Sequence, residues 1–180
     1  MNLNTFDAIS FDCYGTLIDW EAGLRNGLAQ VAALAPTAPD PDALLETYGE
    51  VEARTEREHP GMRYPEVIAR SIVATGAAHS IEVPDALAAE IGASVPQWPA
   101  FPDSAEALQR LKRRYKLIIL SNVDRESFAG SNARLGVGFD AVLTAEDIGS
   151  YKPDPRNFEA LLAKIEEMGI ARDCLLHVAQ

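Results

Sequence analysis

The sequence predicts an α/β fold, in which a doubly wound parallel sheet carries a block of helices after its first strand. Three observations predict it. An apolar run at residues 6–11 ends at an acidic residue and a glycine turn. Residues 19–95 show helical spacing and no strand pattern, and helices alternate with apolar strand-like runs from residue 103 onward. The predicted core comprises residues 1–18 and 99–180, and residues 19–98 form what we call the helical insertion.

The first strand delivers a carboxylate to one edge of the predicted sheet. The apolar run ends at Asp12, and Gly15 marks a tight turn directly after it. Open α/β sheets bind ligands beyond the carboxyl ends of their strands. Asp12 is therefore a candidate site residue, and the alternative is that it only caps a turn.

The sequence of the helical insertion predicts four helices. Asp19 is suited to cap the first helix, and Asp42 starts the second. The charged run at residues 52–58 predicts a solvent-exposed helix face. Three prolines within residues 96–103 predict a stiff connector that returns the chain to the core.

Polar side chains also follow the later predicted strands. Ser121 and Asn122 end the apolar run at residues 117–120, and Lys152 follows the strand at residues 139–143. The ends of parallel strands share one edge, so we expect these groups to meet Asp12. A carboxylate can attack, an ammonium can keep it ionised, and a hydroxyl with an amide can position an anionic group. Taken singly, Ser121 and Asn122 also suit a helix cap, and Lys152 a surface position.

Composition narrows the classes of partner. The chain has 180 residues, is 47% hydrophobic and carries a formal charge of −11. Such an acidic protein repels phosphate backbones and anionic lipids, so we expect neither nucleic acid nor membrane as a partner. Two distant cysteines indicate reduced thiols, and the N-terminus has no export pattern, which together predict a cytoplasmic protein.

Three motifs in order resemble the haloacid dehalogenase superfamily, and within it the type II 2-haloacid dehalogenases. They are Phe11-Asp12-Cys13-Tyr14-Gly15-Thr16-Leu17, Leu120-Ser121-Asn122 and Tyr151-Lys152-Pro153-Asp154-Pro155. The resemblance implies a Rossmann-like core with a helical cap and Asp12 as the nucleophile. It also implies supporting catalytic residues, which are Thr16, Ser121, Asn122 and Lys152.

One position favours the dehalogenase branch. Phosphatases of the superfamily place a second aspartate two residues after the nucleophile, as a general acid and Mg²⁺ ligand, and here that residue is Tyr14. A halide leaves without a proton, so the resemblance implies no metal and no cofactor. It implies that Asp12 attacks a saturated carbon of a small 2-substituted carboxylic acid and forms an aspartyl ester, which water then hydrolyses. Cys13, Tyr14 and Trp20 are the predicted substrate-binding residues.

The chain also resembles azetidine-2-carboxylate hydrolases, which displace an amine from a saturated carbon. The resemblance rests on Phe-Asp-Cys-Tyr-Gly-Thr-Leu-Ile-Asp-Trp-Glu and Trp-Pro-Ala-Phe-Pro-Asp. Both substrate classes stay open at this point. Dehalogenases of the branch use a cap arginine for the halide and carboxylate. The arginines available in the helical insertion are Arg54, Arg57, Arg63 and Arg70.

The resemblance further implies a fourth, carboxylate-bearing motif just past the last predicted strand at residues 174–179. We therefore expect the chain to be C-terminally incomplete, and a bared sheet edge to favour association, including a homodimer. Two alternative functions stay open, a Mg²⁺-dependent phosphatase and a non-catalytic truncated remnant. The three histidines, at positions 59, 79 and 177, lack metal-ligand spacing.

Overall fold

The centre of the protein is a parallel sheet of four strands. The computed structural model describes residues 3–180, so the first two residues of the predicted core lie outside the described residues. The strands lie in the order β3-β2-β1-β4, and every neighbouring pair is parallel. Their bounds are β1 Ala8–Phe11, β2 Lys116–Ser121, β3 Ala141–Thr144 and β4 Leu175–Val178. The predicted α/β fold class is confirmed.

The two central strands are buried on both faces. All four residues of β1 are buried, as are the last five of β2. Ile9 and Ile119 join the larger core, which extends into the helices of the insertion. Ile118, on the other face, packs with Leu161 and Ile165 of helix α8 (Pro155–Glu167). Continuous apolar runs therefore form these strands because helices cover both sides.

Four helices form the helical insertion that follows β1. They are α1 Trp20–Ala32, α2 Pro41–Glu58, α3 Tyr64–Ala78 and α4 Asp85–Gly92. Asp19 caps α1 as predicted, since its Oδ1 accepts a hydrogen bond from the Ala22 N–H at 3.0 Å. Helix α2 begins at Pro41 rather than Asp42, because Asp40 is the cap and proline suits the first helical position.

The entry and exit of the helical insertion lie side by side. The Asp19 N–H donates to the Pro99 carbonyl at 2.8 Å, and the Phe101 N–H donates to the Leu17 carbonyl at 3.1 Å. The proline-rich return segment is thus tied to the end of the first strand region. This places the helices above the carboxyl edge of the sheet, while the bounds of the two predicted domains stay a prediction.

Close contact between helices α3 and α4 depends on one glycine. A Cβ added at Gly92 would lie 2.2 Å from the carbonyl oxygen of Pro65. Backbone cannot yield as a flexible side chain does, so the two helices approach at this distance only because position 92 has no side chain.

Three further helices complete the core: α5 Ser104–Lys112, α6 Arg125–Leu135 and α7 Ala145–Ile148. The last of these was not predicted, because four residues are too short to show helical periodicity. It forms through a capping box in which Thr144 and Asp147 bind each other's backbone N–H groups. Within residues 3–180, no helix has the length and apolar character needed to cross a membrane.

Candidate active site

The carboxyl edge of the sheet opens into a cavity of about 400 Å³. Six of the predicted site residues line it: Asp12, Tyr14, Trp20, Ser121, Asn122 and Lys152. They come from the ends of β1 and β2, from the start of α1 and from the segment before α8. The parallel topology therefore brings together side chains that are up to 140 positions apart in the chain.

Both oxygens of the Asp12 carboxylate have a donor. Lys152 Nζ donates to Oδ1 at 2.6 Å, and Thr16 Oγ1 donates to Oδ2 at 3.2 Å. The side chains of Asp12 and Lys152 are only 18% and 15% exposed, which strengthens their attraction relative to a surface pair. Lys152 Nζ also donates to the Leu120 carbonyl at 2.8 Å. The carboxylate is thus held in one orientation at the cavity wall.

Asn122 fixes the backbone of Lys152. Its Oδ1 accepts from the Lys152 N–H at 2.6 Å, and its Nδ2 donates to the Lys152 carbonyl at 3.1 Å. Two hydrogen bonds to one residue fix that residue's position relative to β2. Asn122 therefore positions Lys152, and through it the Asp12 carboxylate.

Ser121 presents an unpaired hydroxyl at the cavity. The residue is 2% exposed, and among residues 3–180 its Oγ has no hydrogen-bond partner. Leaving a buried hydroxyl unpaired costs about 1–3 kcal/mol. A polar ligand atom in the cavity would relieve that cost.

Tyr14 forms part of an aromatic wall. Its hydroxyl lies 2.7 Å from Ser131 Oγ, and its ring packs against Trp98 and Tyr64 with centroids 5.8 and 6.2 Å away. Burial raises the pKa of the Tyr14 hydroxyl well above its usual range. Together with Trp20, it provides an uncharged surface for an apolar group.

The structure corrects the placement of Cys13. Its side chain is fully buried in the apolar core and is not among the groups that line the cavity. Burial raises the pKa of its thiol. The turn that follows is also closed on itself, since the Gly15 N–H donates to the Ile18 carbonyl at 2.8 Å and is not free to bind a ligand.

Two carboxyl groups that the sequence reasoning missed also line the cavity. Glu52 and Glu56 lie on α2, within the charged run that was predicted to face solvent, and for these two residues that prediction is wrong. Glu52 Oε1 accepts from the hydroxyls of Tyr48 at 2.9 Å and Tyr64 at 3.0 Å. Glu56 Oε2 accepts from Asn122 Nδ2 at 3.3 Å.

Burial changes the protonation of this pair. It raises the pKa of Glu52, and it raises the pKa of Glu56 to about 8, with the nearby Glu52 charge as a second cause. Glu56 thus holds a proton at neutral pH.

The four candidate arginines of the helical insertion lie outside the cavity. Among the described residues, none of the four arginines considered above lines the cavity, and Lys152 is its only lysine or arginine. Arg63 instead pairs with Asp124 and Glu126, both at 3.4 Å. Within residues 3–180 there is also no cluster of three or more His, Cys, Asp or Glu side chains placed to hold a metal ion.

Sequence comparison identifies two relatives of the chain. The chain is 26% identical over 162 residues to (S)-2-haloacid dehalogenase 4A of Burkholderia cepacia, covering 87% of the chain and 68% of that protein. It is 39% identical over 82 residues to (S)-2-haloacid dehalogenase of Pseudomonas sp. (strain YL), covering 44% of the chain and 34% of that protein.

The fold agrees with these sequence relatives. A solved dehalogenase structure superposes with a TM-score of 0.77 at 22% identity, over 97% of this chain and 76% of that one. The family model for haloacid dehalogenase-like hydrolases matches residues 6–178. That match spans nearly the whole chain and includes all three motifs, so the protein belongs to the haloacid dehalogenase-like hydrolase family.

Proposed function

We propose that the protein is a hydrolase in which Asp12 displaces a leaving group from a saturated carbon of a small 2-substituted carboxylic acid. The observation that carries this proposal is the Asp12 carboxylate, bound by Lys152 and Thr16 at the wall of a cavity. Family membership and the two 2-haloacid dehalogenases among the relatives support it.

The chemistry takes two steps. An Asp12 oxygen forms a bond to the substrate carbon while the bond to the leaving group breaks, and the leaving group takes the electron pair. Water then adds its oxygen to the carbonyl carbon of the resulting ester, and the bond from that carbon to the substrate oxygen breaks, which returns Asp12 as a carboxylate and releases the alcohol and one proton. Lys152, 2.6 Å from Asp12, steadies the negative charge that collects on the carboxyl oxygens during the second step.

The rest of the cavity suits the substrate. The unpaired Ser121 hydroxyl is a donor for the substrate carboxylate, and Tyr14 and Trp20 contact its apolar part. Tyr14 also disfavours the phosphatase alternative. Its hydroxyl is bound to Ser131 and its pKa is raised, so it offers neither a ready proton nor a carboxylate at the second position of the motif.

The test is an intact-protein mass measured minutes after mixing with 2-chloropropionate and, separately, with azetidine-2-carboxylate. We expect an ester adduct in the native protein that is absent in Asp12→Asn. Asp85→Asn is the matched control, because Asp85 is exposed and distant in sequence from the motifs. A folded protein that gains no mass with either reagent, or gains it equally in Asp12→Asn, contradicts the proposal and favours the non-catalytic remnant.

A homodimer and a cytoplasmic location remain part of the proposal. Within residues 3–180, the outer strands β3 and β4 each pair on one side, which supports association through a sheet edge. Light scattering on purified protein tests the homodimer, and a single-chain mass at micromolar concentration contradicts it.

A further inference from the structure

The positive charge that lines the cavity is already balanced. Lys152 is the only lysine or arginine among residues 3–180 that lines it, and its Nζ donates to Asp12 at 2.6 Å and to the Leu120 carbonyl at 2.8 Å. Glu52 and Glu56 line the same cavity, and in ionised form both would repel an anion. A carboxylate that enters this cavity therefore depends on neutral hydrogen-bond donors.

We propose that Glu56 binds the substrate carboxylate as a neutral acid, with its Oε1–H and the Ser121 hydroxyl as the two donors. The inference rests on the proposed function, because it names the groups that hold the carboxylate of that substrate. It makes Glu56 a specificity-determining residue and leaves Asp12 as the nucleophile.

Asn122 determines which oxygen of Glu56 carries the proton. Asn122 Oδ1 accepts from the Lys152 N–H at 2.6 Å, which settles the orientation of the amide. Its Nδ2 is therefore the donor to Glu56 Oε2 at 3.3 Å, and that oxygen acts as the acceptor. The acid proton of Glu56 then lies on Oε1, which has no hydrogen-bond partner in the part of the chain that the structure describes.

The second donor lies next to the first. Ser121 directly precedes Asn122, which is the residue that binds Glu56. The Ser121 residue is 2% exposed, and among residues 3–180 its hydroxyl has no partner either. Ser121 and Glu56 line one cavity. A carboxylate has lone pairs for two donors, and hydrogen bonds to an ionised group are roughly twice as strong as those between neutral groups.

The surroundings of Glu56 keep it in the acid form at neutral pH. Burial raises the pKa of its carboxyl to about 8, and the Glu52 charge is the second cause. The other charged and titratable groups around it are Tyr48, Arg57, Tyr64, Tyr151 and Lys152, with Asp12 and His177 in the same cavity.

Most of these neighbours keep their charge between pH 7 and pH 9. Burial raises the pKa of the three tyrosines well above their usual range, and it lowers the pKa of His177. Above pH 8 the binding of a carboxylate therefore takes one proton from the solvent and places it on Glu56 Oε1. Affinity for a carboxylate should fall with rising pH as the acid form is lost.

Two unreactive ligands test this in the native protein. 2-Methylpropionate carries a methyl group in place of the chlorine of 2-chloropropionate, and 2-methylpropionamide has the same shape without the charge. With a pKa of about 8, the acid fraction of Glu56 falls from roughly 0.9 at pH 7 to roughly 0.1 at pH 9. By calorimetry we expect the carboxylate to bind about tenfold more weakly at pH 9, and the amide to bind within about twofold at both values.

Glu56→Gln makes the test sharper, because glutamine has the shape of the acid form. Its carbonyl accepts from Asn122, and its N–H remains a donor at every pH. The variant should bind the carboxylate within about threefold of the native protein at pH 7 and about tenfold more tightly than the native protein at pH 9. Glu50→Gln controls for the loss of one acidic residue, since Glu50 is exposed on the same helix, and it should follow the native protein.

The outcomes separate this inference from the proposed function. Equal carboxylate affinity at pH 7 and pH 9 in the native protein overturns the inference, and so does a pH response that persists in Glu56→Gln. Ester labelling by 2-chloropropionate without the pH response rejects Glu56 as a donor and retains Asp12 as the nucleophile. The pH response without an ester from either reagent of the mass measurement supports the donor and rejects the proposed function.

Discussion

Glu56→Gln is expected to stabilise the protein at alkaline pH and to have little effect near pH 5. Burial raises the pKa of the Glu56 carboxyl from 4.5 to about 8 in the folded protein, whereas the unfolded chain keeps the ordinary value. Between these two values the unfolded state is ionised and the folded state still holds the proton. Unfolding therefore releases a proton, and the free energy of unfolding falls as the pH rises from 4.5 to about 8.

The size of the effect follows from the same two values. The interval from 4.5 to about 8 is about 3.5 pH units, and each unit corresponds to about 1.4 kcal/mol, which sets a ceiling of about 5 kcal/mol. Water that enters the cavity lowers this cost, so we expect a gain of about 2–4 kcal/mol at pH 9. The charged groups near Glu56, namely Glu52, Arg57 and Lys152, are present in both proteins. Glutamine also keeps an acceptor for Asn122.

Urea unfolding at pH 5, 7 and 9 measures the effect. The native protein, Glu56→Gln and the control Glu50→Gln should be followed by circular dichroism, and the free energies of unfolding compared at each pH. The gain from Glu56→Gln should be below about 1 kcal/mol at pH 5 and grow with pH. A gain that is the same at pH 5 and 9, or that Glu50→Gln reproduces, would refute the reasoning.

Three further predictions concern packing, the unpaired hydroxyl and the thiols. Gly92→Ala should destabilise the protein by about 1–3 kcal/mol in urea unfolding, because its Cβ meets the Pro65 carbonyl, while Gly49→Ala, with open space around it, should gain about 0.5–1 kcal/mol. Ser121→Ala should stabilise the unliganded protein by up to about 1–3 kcal/mol but raise KM for a carboxylate substrate about tenfold or more; an unchanged KM contradicts its role. A thiol reagent should label Cys174 in the folded protein and Cys13 only after unfolding.

The convergence of the site residues at the sheet edge could be predicted from the sequence, because the topology of the parallel strands determines it. Asp12, Ser121 and Lys152 each follow an apolar run, and parallel strands carry their ends to one edge. The same argument does not say which way a side chain points. Cys13 follows Asp12 directly, and its side chain enters the core instead of the cavity.

The two glutamates were missed for a different reason. A run of charged residues indicates a helix face in water unless another element covers it, and that depends on how α2 packs over the sheet edge. One local signal was present. Leu44 and Tyr48 are buried, and Glu52 and Glu56 continue the same four-residue spacing along the helix. Extending a buried stripe through polar positions would have placed both carboxyls on the inner face.

The cavity is built from two separate stretches of chain. The sheet edge supplies Asp12 and Lys152, and α2 of the helical insertion supplies Glu52 and Glu56. The proposed nucleophile and the two buried carboxyl groups therefore lie on different elements, and a substitution on α2 leaves both donors of the Asp12 carboxylate in place. A change confined to α2 can therefore alter the shape and charge of the cavity while the pair of Asp12 and Lys152 stays as it is.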